Sequence, residues 1–339
     1  MTVDLDEFDV EPGTELDLPG ATHKPIVVKA HTDRMTREEW LDARRAGVGG
    51  SDLPTLAGIS NYGSEYEVYQ SKVTSLNDEA GEAAELGHLL EPVLGDLFST
   101  RTGLPVLDPK VLVQHPEYPF MLANPDRLVI LPTGRYAILE IKTRSAYFSQ
   151  HWRYGVPVEV ELQVRHYMEV LGLRTAFVAV LIGGQQFKHF RIERSPEIAE
   201  RIIALEAEFW QRVVDRDPPA PTHVDSDLVG GLFVPERDRA ATVGPEVLEL
   251  LRERKRIKEA ESAAKDRLLE IDTIVKSRIG DAEIARDMTG RDVATWKAPR
   301  SGSGRVDTSA MTAAFPALAD RFRTGRSTSR TLRVDKTLR

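Results

Sequence analysis

Three ionisable residues on two neighbouring apolar segments give the sequence its strongest chemical signal. Asp126 interrupts the first segment, 120–130, and Glu140 and Lys142 interrupt the second, which begins at Tyr136. The β-branched and aromatic content of both segments predicts a β-hairpin. Alternation along a strand sends Glu140 and Lys142 to one face, where a carboxylate from the neighbouring strand can join them. We therefore expect two carboxylates and an amine at one place.

Such a cluster is costly to bury on otherwise apolar strands unless it binds a charged group. A hard divalent cation such as Mg²⁺ takes carboxylate and carbonyl oxygens, and a nearby amine can steady an attacking water or a developing phosphate charge. The chain contains no cysteine, so thiolate metal sites are excluded and the ligands must be oxygens. The alternative is a solvent-facing salt bridge on an edge hairpin, since the D…ExK spacing is short and degenerate.

The sequence around these residues resembles a known nuclease family. Asn124-Pro125-Asp126 followed by Glu140-Ile141-Lys142 resembles the core motif of the PD-(D/E)xK nucleases. From about Trp40 to Trp210 the chain is similar to the YqaJ-type recombination exonucleases related to lambda exonuclease. The resemblance implies an α/β (α+β) fold, in which helices flank a mixed central β-sheet and a helical extension follows at the C-terminus.

The same resemblance implies an activity and its participants. It predicts a Mg²⁺-dependent 5′-to-3′ exodeoxyribonuclease that resects linear double-stranded DNA for phage-type homologous recombination, with Mn²⁺ as the alternative metal. A homotrimer and a single-strand annealing recombinase as partner are implied in the same way. The residues that would hold the metal are Asp126, Glu140, the Ile141 carbonyl and Glu91. Lys142 would position the water or stabilise the transition state, and Gln163 would order the site.

Glu91 belongs to a predicted helix from Ala83 to Phe98. The helical spacing predicts one buried stripe, formed by Leu86, Leu89, Leu90, Val93, Leu94 and Leu97. Glu91 lies at its margin, and Gly87, one turn earlier, leaves room for a ligand or another backbone. The Gly-x-x-x-Glu-Pro segment matches the family helix that contributes a further acidic residue. A solvated surface glutamate is the alternative.

A second polar pair lies on the apolar face of a predicted helix, Val158 to Leu171. Gln163 on such a face needs hydrogen-bond partners, and Tyr167 follows it one turn later. The spacing Gln-x-x-x-Tyr recurs in the resembled superfamily beside the ExK strand, which implies contact with the substrate or the site. Alternatively, Gln163 caps the backbone of a neighbouring strand.

A glycine loop from Val48 to Asp52 predicts an anion pocket. Backbone amides at a helix start, with a serine and an arginine nearby, suit a phosphate. A tight turn with a Ser or Asp cap explains the pattern equally well. The resemblance assigns the 5′-phosphate of the DNA end to Arg45 and Ser51, and Arg44 is the substitute for Arg45. Asp52 weakens the prediction because its charge would repel the anion.

Two further segments are candidates for DNA contact. Residues 143–156 interleave cations and aromatic rings, which suits a backbone-tracking and base-stacking surface, or else a packing segment. The C-terminal region is rich in arginine and is either a phosphate-backbone contact or a solvated tail. Its arginines include Arg291, Arg300, Arg305, Arg321, Arg323, Arg326, Arg330, Arg333 and Arg339.

Composition sets the domain prediction. The chain has 339 residues, 41% of them hydrophobic and 29% charged, with a net charge of -8, as expected of a globular protein. We predict an acidic disordered arm over residues 1–30, the nuclease domain over 31–217, a linker over 218–245, and a long helix with a basic extension over 246–339. No signal-peptide pattern and no apolar run of transmembrane length is evident, so we expect a cytoplasmic protein of a bacterial or phage-infected cell with no membrane partner.

Two rival functions remain open at this stage. An endonuclease of the same fold would cut covalently closed circles. A non-catalytic module that binds DNA ends or a partner protein would keep the fold without turnover. A weaker third hypothesis is an inhibitor whose acidic arm mimics DNA.

Overall fold

The structure is a computed structural model that describes residues 8–60, 63–74, 81–233, 239–298, 307–322, 332–335 and 338. The chain divides into two compact units, Met1–Gly231 and Leu232–Arg339. The boundary falls within the linker predicted over residues 218–245. Part of that region is structured, because a 3-10 helix (His223–Asp225) and an α-helix (Ser226–Leu232) precede and cross the boundary.

In the described part of the first unit the strands are β1 (Glu15–Leu16), β2 (Ile26–His31), β3 (Val48–Gly49), β4 (Val106–Leu107), β5 (Val111–Gln114), β6 (Met121–Ala123), β7 (Arg127–Ile130), β8 (Tyr136–Arg144), β9 (Thr175–Ile182) and β10 (Gln186–Glu193). The helices are α1 (Arg37–Arg45), α2 (Leu53–Leu56), α3 (Glu65–Val73), α4 (Glu82–Thr102), α5 (Val158–Leu171), α6 (Pro196–Asp215) and α7 (Ser226–Leu232).

The strands form two mixed sheets. One sheet has the order β1-β2-β5-β6-β3 and the other has the order β10-β9-β8-β7-β4. In the second sheet β7 and β8 form the predicted antiparallel hairpin, whereas β8 and β9 are parallel. A parallel pair needs a crossover connection, and α5 supplies it. The predicted mixed α/β fold with flanking helices is confirmed. The strands, however, are divided between two sheets instead of forming one central sheet.

The first apolar segment of the hairpin is broken into two strands. β6 pairs in the first sheet and β7 in the second, and Asn124-Pro125-Asp126 connects them. Pro125 has no N–H to donate to a strand ladder, which favours a break at this point. Asp126 therefore lies immediately before β7 instead of within a continuous strand.

Helix α4 packs against the second sheet with part of the predicted stripe, since Leu90, Leu94 and Leu97 belong to or pack against the same core cluster. Leu94 and Phe98 are buried beside Leu139 and Ile141 of β8. The predicted stripe is wrong for Leu86, Leu89 and Val93, which are exposed by 52%, 67% and 60%.

Two glycines of α4, Gly87 and Gly95, lie on the side of the helix that faces β8. A Cβ added to Gly87 would lie 3.6 Å from Thr143 Oγ1, and one added to Gly95 would lie 3.8 Å from Ile141 Cδ1. Both distances are ordinary van der Waals contacts, so an alanine would fit at either position. Glu91, one turn from each glycine, is on that same side and therefore faces β8.

The predicted disordered arm is wrong for residues 8–30. Phe8, Leu18 and Ile26 are buried in the main core, and β2 pairs with β5. The His31 ring also hydrogen-bonds the Val10 carbonyl at 2.6 Å. A few well-spaced apolar residues anchor this acidic segment to the sheet edge, an effect that average composition does not reveal. Residues 1–7 lie outside the described part of the chain.

The second unit contains the predicted long helix. It comprises α8 (Pro245–Ile279), a hairpin of β11 (Ile284–Arg286) and β12 (Asp292–Thr295), and the short helices α9 (Thr308–Ala314) and α10 (Pro316–Arg321). Along α8, Ile257, Leu268 and Ile271 are exposed within the described chain. Among the arginines predicted to contact phosphates, Arg300, Arg305, Arg323, Arg326, Arg330 and Arg339 lie outside the described residues.

Candidate active site

The central strand β8 places Glu140 and Lys142 on the same face, as predicted. Glu140 is buried, and its Oε1 lies 2.5 Å from the Lys142 Nζ. Asp126, immediately before β7, reaches this cluster, because its Oδ2 accepts a hydrogen bond from the Ile141 N–H at 2.7 Å. The predicted convergence of two carboxylates and an amine is confirmed.

Burial controls the charges of the cluster. It raises the pKa of Glu140 to about 7, with a further contribution from the charge of Asp126 and a partial offset from Lys142. It likewise raises the pKa of Asp126 to about 6, and the charge of Glu91 adds to the shift. Burial alone would lower the pKa of Lys142, but the two carboxylates outweigh it and the pKa is raised. Lys142 therefore stays protonated. Its single positive charge does not fully offset the burial of two carboxylates, and their pKa values remain raised.

Gln163 and Tyr167 on α5 complete one wall of the cluster. The Gln163 Nε2 donates to Glu140 Oε1 at 2.8 Å and lies 3.2 Å from the Tyr167 hydroxyl oxygen. The Tyr167 hydroxyl remains protonated because burial, together with the nearby carboxylates, raises its pKa. The Gln163 side chain thus contacts the side chain of Glu140 on β8. It does not cap the backbone of a neighbouring strand, which was the alternative.

The donor set fits a hard cation. The second carboxylate oxygen of Glu140, Oε2, is buried and has no hydrogen-bond partner in the described structure. An ionised oxygen without a donor is costly, and a bound cation would offset that cost. Within the described ranges no three His, Asp or Glu side chains are grouped closely enough to hold an ion by themselves. Two carboxylates therefore fit as part of a ligand set that other oxygens must complete.

Glu91 borders the same cavity from α4. This cavity has a volume of about 240 Å³ and is lined by Glu91, Asp126, Glu140, Lys142, Gln163 and Tyr167, among others. His88, which the sequence analysis did not single out, lies with Nδ1 2.9 Å from Glu91 Oε1. In the sequence, His88 and Glu91 show only an i, i+3 spacing, which is common on helices and does not by itself indicate a functional pair.

Arg44, and not Arg45, reaches the predicted anion pocket. The Arg44 Nη2 lies 2.6 Å from Ser51 Oγ, and both residues line the cavity. Arg45 pairs with Asp42 instead and does not line the cavity. Successive residues on a helix point about 100° apart, so only one of the two arginines can face the loop. The structure therefore places Arg44, the stated substitute, in the predicted pocket and leaves Arg45 outside it.

The helix after the loop contributes little to this pocket. α2 has only four residues, so its backbone dipole is small. The Arg44 guanidinium stacks over the Trp40 ring at 4.7 Å, a cation–π contact that holds it beside the cavity. The Asn124 side chain is used internally, since Nδ2 donates to the Val111 carbonyl at 3.2 Å and Oδ1 accepts from the Trp40 indole at 3.4 Å.

The aromatic segment after β8 divides between packing and exposure. Trp152 is buried, and its ring packs against Phe190. Tyr147 and Tyr154 are exposed by 86% and 90%, and the Arg153 guanidinium lies over the Tyr154 ring. Trp152 therefore has a structural role, whereas base stacking by the exposed tyrosines stays a prediction.

Together these features define a mixed α/β protein with a carboxylate–lysine site at a β-hairpin. Residues 39–174 match the family model described as the YqaJ-like viral recombinase domain. The protein YqaJ of Bacillus subtilis (strain 168) is 34% identical over 304 residues, which cover 87% of this chain and 93% of that protein. The chain belongs to the YqaJ-like viral recombinase family.

Two solved structures resemble parts of the chain. The alkaline exonuclease LHK-Exo of Laribacter hongkongensis is 23% identical, with a TM-score of 0.46. The match covers 53% of this chain and 93% of that one. A phage related exonuclease from Haemophilus somnus 129PT is 13% identical, with a TM-score of 0.40 over 50% of this chain and 96% of that one. In the described part of the present chain, no helix is both long and apolar enough to cross a membrane.

Proposed function

We propose that this protein is a metal-dependent deoxyribonuclease that degrades one strand of linear duplex DNA from its 5′ end. One observation carries the proposal: Asp126, Glu140 and Lys142 converge in a cavity that also contains the Arg44–Ser51 pair. A site that binds a terminal phosphate beside a carboxylate–lysine cluster suits removal of nucleotides from an end. Membership of a viral recombinase family favours a role in recombination.

The metal would be Mg²⁺, with Mn²⁺ as the alternative, held by Asp126 and Glu140. The Ile141 carbonyl is the proposed further ligand, and Glu91, which lines the cavity, would lie in the shell around the ion or approach it as a ligand. When bound, the ion lowers the pKa of a bound water and offsets the charge that develops on the phosphate. This chemistry needs no nucleophilic side chain from the protein.

The protein's own residues would orient the reaction. Lys142, protonated and 2.5 Å from Glu140, can hold the attacking water or stabilise the transition-state charge. Gln163 donates to the same oxygen of Glu140 and so helps to fix the carboxylate. Tyr167 borders the proposed substrate position, since it lines the cavity together with Gln163 and with Gly49, Gly50 and Ser51 of the Val48–Asp52 loop (the phosphate loop).

The Arg44–Ser51 pair would select the DNA end. A guanidinium and a hydroxyl 2.6 Å apart can both donate to one phosphate. Binding the 5′-phosphate there while the adjacent phosphodiester meets Glu140 and Lys142 would set the polarity. Double-stranded DNA ends are the proposed substrate, and a single-strand annealing recombinase and a homotrimeric assembly are the proposed partners.

Digestion of end-labelled DNA tests the proposal. Linear duplex labelled on the 5′ or the 3′ strand and a covalently closed circle would be incubated with the full chain in Mg²⁺ or in EDTA. We expect Mg²⁺-dependent loss of the 5′ strand from linear DNA, intact circles, and no digestion by Lys142→Ala. Lys29→Ala, which alters an exposed lysine of β2, is the matched control.

Each other outcome identifies a rival. Cutting of closed circles would establish an endonuclease of this family. DNA binding without metal-dependent turnover would contradict the proposal and establish a binding module.

A further inference from the structure

A buried ion pair lies directly behind the phosphate loop. The Lys72 Nζ, on α3, is 2.6 Å from Asp52 Oδ2, and the two side chains are exposed by only 4% and 12%. Asp52 Oδ2 also accepts the Gly49 N–H at 2.8 Å. Lys72 therefore anchors, through one carboxylate, the backbone of the loop that carries Ser51.

The same carboxylate also faces the arginine of the pocket. Asp52 Oδ1 lies 4.0 Å from Arg44 Nη2, the atom that is 2.6 Å from Ser51 Oγ. Burial would raise the pKa of Asp52, but Lys72 and Arg44 outweigh it and the pKa is lowered, so this side chain is ionised. An acid thus lies beside a pocket for an anion.

Lys72 resolves this conflict of charge. Without its ammonium group, Asp52 would attract the Arg44 guanidinium more strongly, would draw it away from Ser51, and would repel a bound phosphate. With Lys72 in place, Asp52 is neutralised from the side away from the cavity. Among the described residues the cavity lining includes Arg44 and Ser51 but neither Asp52 nor Lys72, so Lys72 acts only through Asp52.

We propose that Lys72 is a positioning residue that, by binding Asp52, directs Arg44 to a terminal phosphate and sets the preference for phosphorylated over hydroxyl DNA ends. The inference rests on the proposed function, and it adds a specificity determinant on an element outside the phosphate loop. A purely structural ion pair would affect all DNA ends equally. In the role assigned to Lys72, its loss would lower the rate on phosphorylated ends selectively.

Rates on 5′-phosphorylated and 5′-hydroxyl linear duplexes, measured with the full chain, test the inference. For Lys72→Met we expect the preference for phosphorylated ends to fall by at least about tenfold, because a hydrogen bond to a charged group carries that much. The rate on hydroxyl ends should stay near that of the wild type. Asp52→Asn should act in the opposite direction and raise the preference, since it removes the competitor for Arg44.

The double variant Lys72→Met/Asp52→Asn supplies the decisive comparison. It removes both buried charges together, so it avoids an uncompensated charge in the fold and should restore the wild-type preference. If one single variant fails to fold, the other single variant and the double variant still test the inference. The two single variants are expected to change the preference for phosphorylated ends in opposite directions. Equal losses on both kinds of end in the variants that fold would overturn the role of Lys72.

The wild-type result separates this inference from the proposed function. If the wild type digests linear DNA but shows no preference for phosphorylated ends, the phosphate pocket and the role of Lys72 are both overturned while the nuclease activity stands. If the wild type digests neither substrate, the nuclease proposal itself fails.

Discussion

The Gln163 amide and the Glu140 carboxylate are joined by a 2.8 Å hydrogen bond that links α5 to the central strand β8. Lys142 contacts the same oxygen of Glu140 at 2.5 Å. One oxygen of Glu140 is thus saturated by two donors while the other, Oε2, has none. Gln163 and Lys142 together orient the Glu140 carboxylate and leave its Oε2 available to a cation.

Replacement of Gln163 should weaken the activity without unfolding the chain. Gln163→Leu keeps a similar volume but removes the donor, and groups that orient a ligand typically contribute about 10- to 100-fold to metal affinity or activity. We expect a loss of that size in DNA digestion, with part of it recovered at higher Mg²⁺ concentration. Gln211→Leu, on the exposed side of α6, is the control and should retain activity. A Gln163→Leu rate equal to that of the wild type would exclude a role in the site.

Mg²⁺ should stabilise the folded protein through Glu140. A ligand that binds only the native state raises the melting temperature with its concentration, which a thermal denaturation series measures without any DNA. We expect an increase for the wild type and none for Glu140→Gln, which preserves shape but removes the charge.

Lys142→Met separates metal binding from chemistry. It removes the cation that competes for Glu140, so the increase in melting temperature with Mg²⁺ should persist. Digestion should nevertheless fall by about 10²- to 10³-fold, the usual effect of losing one group that stabilises a transition state. Loss of the Mg²⁺ response in Lys142→Met would instead indicate that the lysine holds the site together.

Two adjacent glycines should respond differently to the same substitution. A Cβ at Gly50 would lie 2.7 Å from Tyr167 Cε1 and 2.9 Å from the Gln163 carbonyl oxygen, whereas the nearest atom to a Cβ at Gly49 is 3.6 Å away. Gly50→Ala must displace α5 from the phosphate loop, and overpacking of this kind costs about 1 to 3 kcal/mol. We expect Gly50→Ala to lower both the free energy of unfolding, measured with urea, and the activity. Gly49→Ala should be stable, and comparable losses in both variants would contradict the close packing at Gly50.

The hairpin and its charges were predictable because they depend on local pattern. Alternation along β8 requires Glu140 and Lys142 to share a face, and the pairing of β7 with β8 brings Asp126 to them. The Pro125 break was less evident, because apolar content continues on both sides of it.

Long-range packing accounts for what the sequence did not reveal. The apolar periodicity of α4 predicts a stripe that includes Leu86 and Val93, but docking on the sheet buries the side with Leu94 and leaves those two residues exposed. Arg44 and Arg45 are equivalent until the helix is docked on the loop. Lys72 is 20 residues from Asp52, and no local pattern connects them. The burial of Phe8 and Leu18 likewise depends on a sheet edge distant in sequence.

A buried pair behind the site, His166 and Glu206, should make stability depend on pH. The His166 Nδ1 lies 2.7 Å from Glu206 Oε1, its Nε2 lies 2.8 Å from the Leu122 carbonyl oxygen, and both side chains are fully buried. Burial would lower the pKa of His166, but Glu206 outweighs it and the pKa is raised above its ordinary value of 6.5. The folded pair therefore keeps a proton in a range where the unfolded histidine has lost it.

The sign of the pH effect follows from this proton. Below pH 6.5 both states bind it and the contribution of the pair is fully present, whereas above pH 6.5 only the folded state does and the contribution declines. The slope is about 1.4 kcal/mol per pH unit until the folded pair also releases its proton. The reference is His166→Gln/Glu206→Gln, which cannot titrate at these positions. We expect the difference in free energy of unfolding between wild type and this variant, measured with urea, to be constant near pH 6 and to decrease towards pH 8. A difference that rises or stays flat over that range would show that His166 is neutral in the folded protein.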